Sequence, residues 1–226
     1  SNAGALCQLR RNQISLFFSP QPFGFRELSD VMASCAVMTP CGVVGVGARR
    51  FGFDLYHEFT GTIAYANTLS GLRLGFSLNY YSLTIAHYGS AGTLGLDIGL
   101  QVELIPRLSF GISARNVNSP ALGAADERLP QAFCAGLALV LADQLTVTCD
   151  YQREPSVDDE PRCGFEFWIV KALAFRGGFS TMPAQIAGGI GVRYSLIQLD
   201  YSLISHQDLG WTHQVSLSLW LGGPDE

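Results

Sequence analysis

Residues 93–104 read TLGLDIGLQVEL, and the alternation in that stretch constrains the fold more than any other feature of the chain. Leu94, Leu96, Ile98, Leu100, Val102 and Leu104 take every second position, with Gly95, Asp97, Gly99, Gln101 and Glu103 between them. A period of two describes a strand with one apolar and one polar face. About twelve such residues exceed the usual globular strand of about 5–6 and reach the about 9–11 that a tilted strand needs to cross a bilayer. A half-exposed strand of a soluble sandwich shares the alternation. Repetition along the chain decides between the two.

The pattern returns at residues 13–18, 31–38, 43–50, 58–67, 72–85, 108–117, 132–141, 145–151, 164–170, 173–179, 186–194, 196–204 and 213–221. The expectation is an all-β chain of about fourteen strands, with no helical-period segment competing. Short joints fall at Thr39-Pro40, Ser70-Gly71, Ile105-Pro106, Ala142-Asp143, Lys171 and Ser195. Longer ones cover residues 19–27, 51–57, 86–91, 118–130, 152–162, 180–184 and 205–212. In this parse short and long alternate without exception, as in an up-and-down transmembrane barrel with short periplasmic turns and longer external loops. A Greek-key sandwich lacks that two-sided regularity. An even strand number places both termini on the periplasmic side. The expected organisation is one barrel domain over residues 12–222, after a tag remnant (Ser1-Asn2-Ala3) and mobile N-terminus at 1–11, with a tail at 223–226.

Composition narrows the setting. The chain is 48% hydrophobic and only 15% charged, against about 25% charged in soluble domains. Yet no run of about 18 apolar residues offers a transmembrane helix. A net charge of −5 without a basic cluster argues against a nucleic-acid partner.

One strand face reads Leu72, Leu74, Phe76, Leu78; Leu108, Phe110, Ile112; Phe165, Phe167, Ile169; Ile197, Leu199, Tyr201, Leu203; Val215, Leu217, Leu219, Leu221. These residues are expected to face lipid. The opposite face is rich in glycine and small hydroxyl residues and poor in the lysine usual on a solvated strand face. It also carries a nearly balanced charge set: Arg49, Arg73, Arg115, Arg176 and Arg193 against Glu58, Asp97, Glu103, Asp150, Glu166 and Asp200. Arginines and carboxylates on neighbouring strands can pair inside a lumen. Such pairing predicts weak ionic selectivity, shifted toward cations when Arg115 or Arg176 is neutralised. A soluble ligand-binding barrel, with its apolar face inward, is the alternative. Tyr65, Tyr80, Tyr81, Tyr151, Phe179, Tyr194 and Trp211 sit near strand ends and are expected to anchor at the membrane interfaces.

Six cysteines (Cys7, Cys35, Cys41, Cys134, Cys149, Cys163) show no CxxC and no Cys/His ligand spacing, so no metal or cofactor is expected. Cys35 and Cys149 fall on apolar faces, where a free thiol behaves as a small hydrophobe. Cys7 at a lipidated mature N-terminus is disfavoured by Leu6 before it. The catalytic signatures GxSxG, HExxH, the phosphate-binding P-loop and GxGxxG are absent, and His57, His87, His206 and His213 are dispersed, so no enzyme activity is expected.

Several short segments carry a family resemblance: Phe51-Gly52, Tyr56-His57-Glu58 leading into Thr62-Ile63-Ala64-Tyr65-Ala66, and Ala114-Arg115-Asn116. Leu129-Pro130 before Ala135-Gly136-Leu137-Ala138, Gly164-Phe165-Glu166, Phe175-Arg176-Gly177-Gly178-Phe179 and Leu199-Asp200-Tyr201-Ser202 extend it. The chain resembles the PorV/PorQ-like outer-membrane proteins, relatives of the long-chain fatty-acid transporter (FadL) barrels. The resemblance implies a barrel in the cell outer membrane, with the lipid bilayer as partner. Its function would be passage of small or hydrophobic solutes or, in the PorV-like alternative, docking of secreted or surface proteins on the loops at 118–130 and 152–162. The Asn-Pro-Ala segment expected near the family's N-terminus, where relatives form an internal hatch, is absent. The residues before Gln13 are too few for a substantial plug.

Overall fold

A computed structural model describes residues 2–123, 127–155 and 159–222. Fourteen strands close into one antiparallel barrel. In chain order they are β1 (Asn12–Ser19), β2 (Asp30–Thr39), β3 (Gly42–Phe53), β4 (Tyr56–Leu69), β5 (Leu72–Ile85), β6 (Gly89–Ile105) and β7 (Leu108–Arg115). The second half supplies β8 (Ala132–Ala142), β9 (Leu145–Arg153), β10 (Glu160–Val170), β11 (Leu173–Thr181), β12 (Ala184–Tyr194), β13 (Ile197–His206) and β14 (Gly210–Leu221). Each strand pairs with its chain neighbour, and β1 pairs with β14 from Asn12↔Leu221 to Phe18↔Val215, which removes every open edge. Each expected strand corresponds to one of these. The sequence reading missed only a two-residue pairing, Ala121–Leu122 with Glu127–Arg128, inside the long connection after β7.

At one end of the barrel all joints are two residues long, at 40–41, 70–71, 106–107, 143–144, 171–172 and 195–196. At the other end the strict alternation expected from sequence breaks. The connections at 54–55 and 182–183 are also two-residue turns, because β3, β4, β11 and β12 run on through residues read as loop. The long connections are 20–29 and 116–131, while the joint at 154–159 spans six residues. The loop surfaces at 118–130 and 152–162 lie partly, and the tail at 223–226 wholly, outside the described residues.

Strand register fixes the faces, since side chains alternate in and out. Leu74↔Leu100, Leu100↔Ile112 and Phe76↔Ile98 share one face, and Val192↔Leu199 and Leu199↔Leu217 continue it. That face points outward. Ile63, Phe76 and Leu199 are 62%, 51% and 52% exposed, among many large apolar side chains open to the surroundings. A continuous band of this kind has no place in water and matches a hydrocarbon layer. The soluble barrel with an apolar interior requires the reverse arrangement. Tyr81 departs from expectation: it falls on the inward register opposite Thr93 and helps line a 260 Å³ cavity under the long connection, rather than anchoring at an interface.

Cys149 is not a free thiol. It stands opposite Cys163 on the outer face of β9 and β10, and the two are disulfide-bonded. Cys7, Cys35, Cys41 and Cys134 are free. Denatured but unreduced protein is therefore expected to take up four maleimide labels by mass spectrometry, and six after reduction. Six labels without reduction would remove the bond.

Candidate functional site

The segment before β1, expected to be mobile and too short for a substantial plug, lies inside the barrel, with Asn2 and Ala3, read above as a tag remnant, part of it. Residues Ala3–Gln8 form a 3-10 turn, a short hydrogen-bonded coil that closes locally through Ala5 N–H to the Asn2 carbonyl at 3.0 Å. Its seat is a row of small inward residues, one per strand, from β4 to β8: Ala66, Gly75, Gly99, Ser113 and Cys134 are successive cross-strand partners. A Cβ at Gly75 would stand 2.4 Å from the Ala3 carbonyl carbon and 2.5 Å from Gly4 N. Only glycine permits so close an approach of two backbones. The Asn2 amide reaches the Leu100 and Ile112 carbonyls at 3.0 and 3.1 Å. Outside the same row the wall carries an apolar groove of about 890 Å³, with Leu74, Phe76, Ile98, Leu100 and Ile112 around it.

The segment divides the lumen. Towards β1–β4 is a cavity of about 510 Å³ whose lining includes Leu6, Leu9, Met32, Ala36, Gly47 and Ala64. Towards β6–β10 is a mixed cavity of about 380 Å³, with Gln101, Ser109, Thr148, Asp150 and Arg162 as well as Leu137 and Ala138 in its wall. The surface of the first is mostly apolar, although Gln13, Ser34, Arg49 and Thr62 also reach it, while the second offers more hydrogen-bonding groups.

The charged residues singled out from sequence all lie on the inward register, in separate groups. Arg176 on β11 joins two of them: its Nε donates to Glu166 at 2.7 Å, and its Nη1 donates to Asp200. Glu166 also accepts from Trp168 Nε1 at 2.8 Å, and Asp200 from Gln198 Nε2 at 2.8 Å. Arg193 donates to Gln198 Oε1 at 2.9 Å and lies between two indoles, 4.2 Å from the Trp168 ring centre and 4.9 Å from that of Trp220. The seven residues form a ring over the inner faces of β10–β14, near the end with uniformly short turns. Two cations and two carboxylates leave it neutral.

The other charges are dispersed. Arg73 and Glu103 approach to 4.0 Å, and Arg115 pairs at 3.3 Å with Glu154, a residue the sequence reading passed over. Arg49 binds Asp30 with both ends of its guanidinium, at 2.9 and 2.7 Å, and Asp30 too was missed. Asp97 accepts from Asn79 Nδ2 at 2.8 Å and from Asn116 N–H at 2.9 Å, so it is satisfied without a cation. Glu58 accepts from the Tyr56 hydroxyl at 2.7 Å. Asp150 stands in the mixed cavity. No group of metal-ligating side chains occurs among the described residues.

A closed fourteen-stranded barrel with an apolar exterior and a charge-paired, partly plugged interior defines the structural class. No family model matches the chain, and no curated protein matches it in sequence. Solved structures do. The CymD monoaromatic hydrocarbon channel has a TM-score of 0.73 at 14% identity, covering 98% of this chain and 92% of that one. The Ralstonia pickettii toluene transporter TbuX has a TM-score of 0.72 at 12% identity, covering 98% and 92%. The Acinetobacter baumannii outer membrane protein Omp33 has a TM-score of 0.59 at 7% identity, covering 93% and 98%. At these identities the likeness establishes a shared fold.

Proposed function

We propose that this protein is an outer-membrane channel for small hydrophobic solutes, with the short-turn end periplasmic and the compartment against β1–β4 as the passage. One observation carries the reading: a mostly apolar cavity of about 510 Å³ lies within a barrel whose exterior is itself apolar. A mostly apolar compartment favours a hydrophobic solute over an ion, and its volume suits a single small ligand. Structural neighbours whose names include a monoaromatic hydrocarbon channel and a toluene transporter support the choice of solute. The docking role drawn from the PorV/PorQ-like resemblance has no comparable feature in its favour.

Gly47 tests the passage. A Cβ there meets nothing nearer than 3.6 Å, so a side chain can enter the cavity without disturbing the wall. Gly47→Phe fills the space beside Leu6 and is expected to slow toluene entry into proteoliposomes by about tenfold or more, a barrier rise of about 1.4 kcal/mol. Unchanged entry would show that toluene does not pass this way.

A further inference from the structure

Beyond the hydrophobic passage, the structure carries a second site on the other side of the N-terminal turn. We propose that the cavity of about 380 Å³ facing β6–β10 binds a small zwitterion, such as an α-amino acid, with its ammonium group at Asp150 and Gln101 and its carboxylate at Arg162.

Two unpartnered buried polar atoms and one exposed carboxylate point to that chemistry. Gln101 Oε1 is buried without a hydrogen-bond partner, and so is Arg162 Nε. One is an acceptor awaiting a donor; the other is a cationic donor whose nearest carboxylate oxygen, on Glu160, stands at 3.7 Å, beyond hydrogen-bond distance. A buried polar atom left unpaired costs free energy that a ligand can recover. The third group, the Asp150 carboxylate, is exposed and lines the same cavity. Asp150 stands directly opposite Arg162 across β9 and β10, yet among the described residues it makes no ion pair. Arg162 turns away towards Glu160, at 3.7 Å, and donates to Gln152 Oε1. Asp150 leans over Gly136, where a Cβ would stand 1.9 Å from its Oδ1. The two opposite charges therefore share one cavity without neutralising each other.

A ligand that satisfies all three groups donates at one end and accepts at the other, and its two charges are close together because Asp150 and Arg162 are direct cross-strand partners. An α-amino acid has that form. Ser109 and Thr148 add hydroxyls to the wall, and the volume accommodates a small side chain. A neutral polyol meets the hydrogen bonds but neither charge, and a simple carboxylate or amine meets only one.

Calorimetry on the detergent-solubilised full chain, with L-serine as probe and glycerol, acetate and ethylammonium as controls, tests the assignment. L-serine is expected to bind more tightly than each control. Asp150→Asn and Arg162→Gln should each weaken serine binding at least about tenfold, the consequence of losing one charge-assisted hydrogen bond. Thr148→Phe, which fills the cavity while keeping both charges, should abolish it. Unboiled gel mobility checks that each variant is folded, and toluene entry should be unchanged in Asp150→Asn, which separates this site from the hydrophobic passage. No serine binding by the wild type, equal binding of glycerol, or wild-type affinity in both charge variants would overturn the proposal.

Discussion

Arg176→Met is expected to lower the barrel's unfolding free energy by about 2–3 kcal/mol, below the about 3–5 seen when one partner of a fully buried ion pair is lost. The discount reflects access to water, since the Arg176 side chain is 32% exposed. The loss arises from what remains behind. Trp168 still holds Glu166, and Gln198 still holds Asp200, so the two carboxylates stay where the guanidinium joined them. Two like charges fixed around an empty place repel through a medium of lower dielectric than water. Urea titration of the protein refolded into lipid vesicles, followed by tryptophan fluorescence, measures the loss. Adding Glu166→Gln and Asp200→Asn to the variant should restore most of it, a coupling that independent sites do not show. The same variant should be more cation-selective than wild type in a planar bilayer. A wild-type midpoint in the single variant would remove Arg176 from any structural role.

Gly75→Leu is expected to produce the largest change in conductance. At Gly75 the added Cβ collides with the backbone of Ala3 and Gly4, not with the flexible end of a side chain. Backbone cannot rotate aside, so the turn must leave its seat. With the partition gone the two compartments merge, and the single-channel conductance should rise roughly severalfold, as a wider lumen carries more ions. A chain lacking residues 2–9 should show the same conductance, and Gly75→Leu in that shortened chain should add nothing. Wild-type conductance in both would mean that the turn does not restrict the lumen.

Strand positions and the two faces were legible because a side-chain period of two cannot be satisfied in any other register once one face is apolar. Leu94 through Leu104 carry that signal residue by residue. The inward direction of the charges followed from it, but their partners did not. Asp30 opens β2 at the edge of a loop, and its pairing with Arg49 depends on where that strand begins. Glu154 lies beyond the end of β9, and Arg115 reaches it from two strands away, a distance that sequence spacing does not encode. The disulfide left a readable trace: Cys149 and Cys163 lie three residues inward from the Gln152↔Glu160 pair on their two strands, and equal distance places two outward residues opposite each other. The plug had no such trace. Residues 2–9 have no period, and the glycines that receive them read only as small residues on a polar face until register aligns Gly75 with Gly99.

The sunken row from Ala66 to Cys134 makes one wall serve two surfaces. The N-terminal turn lies against it from within, and the apolar groove that Gly75, Gly99, Ser113 and Cys134 help to line lies against it from without, so little more than one backbone separates the two.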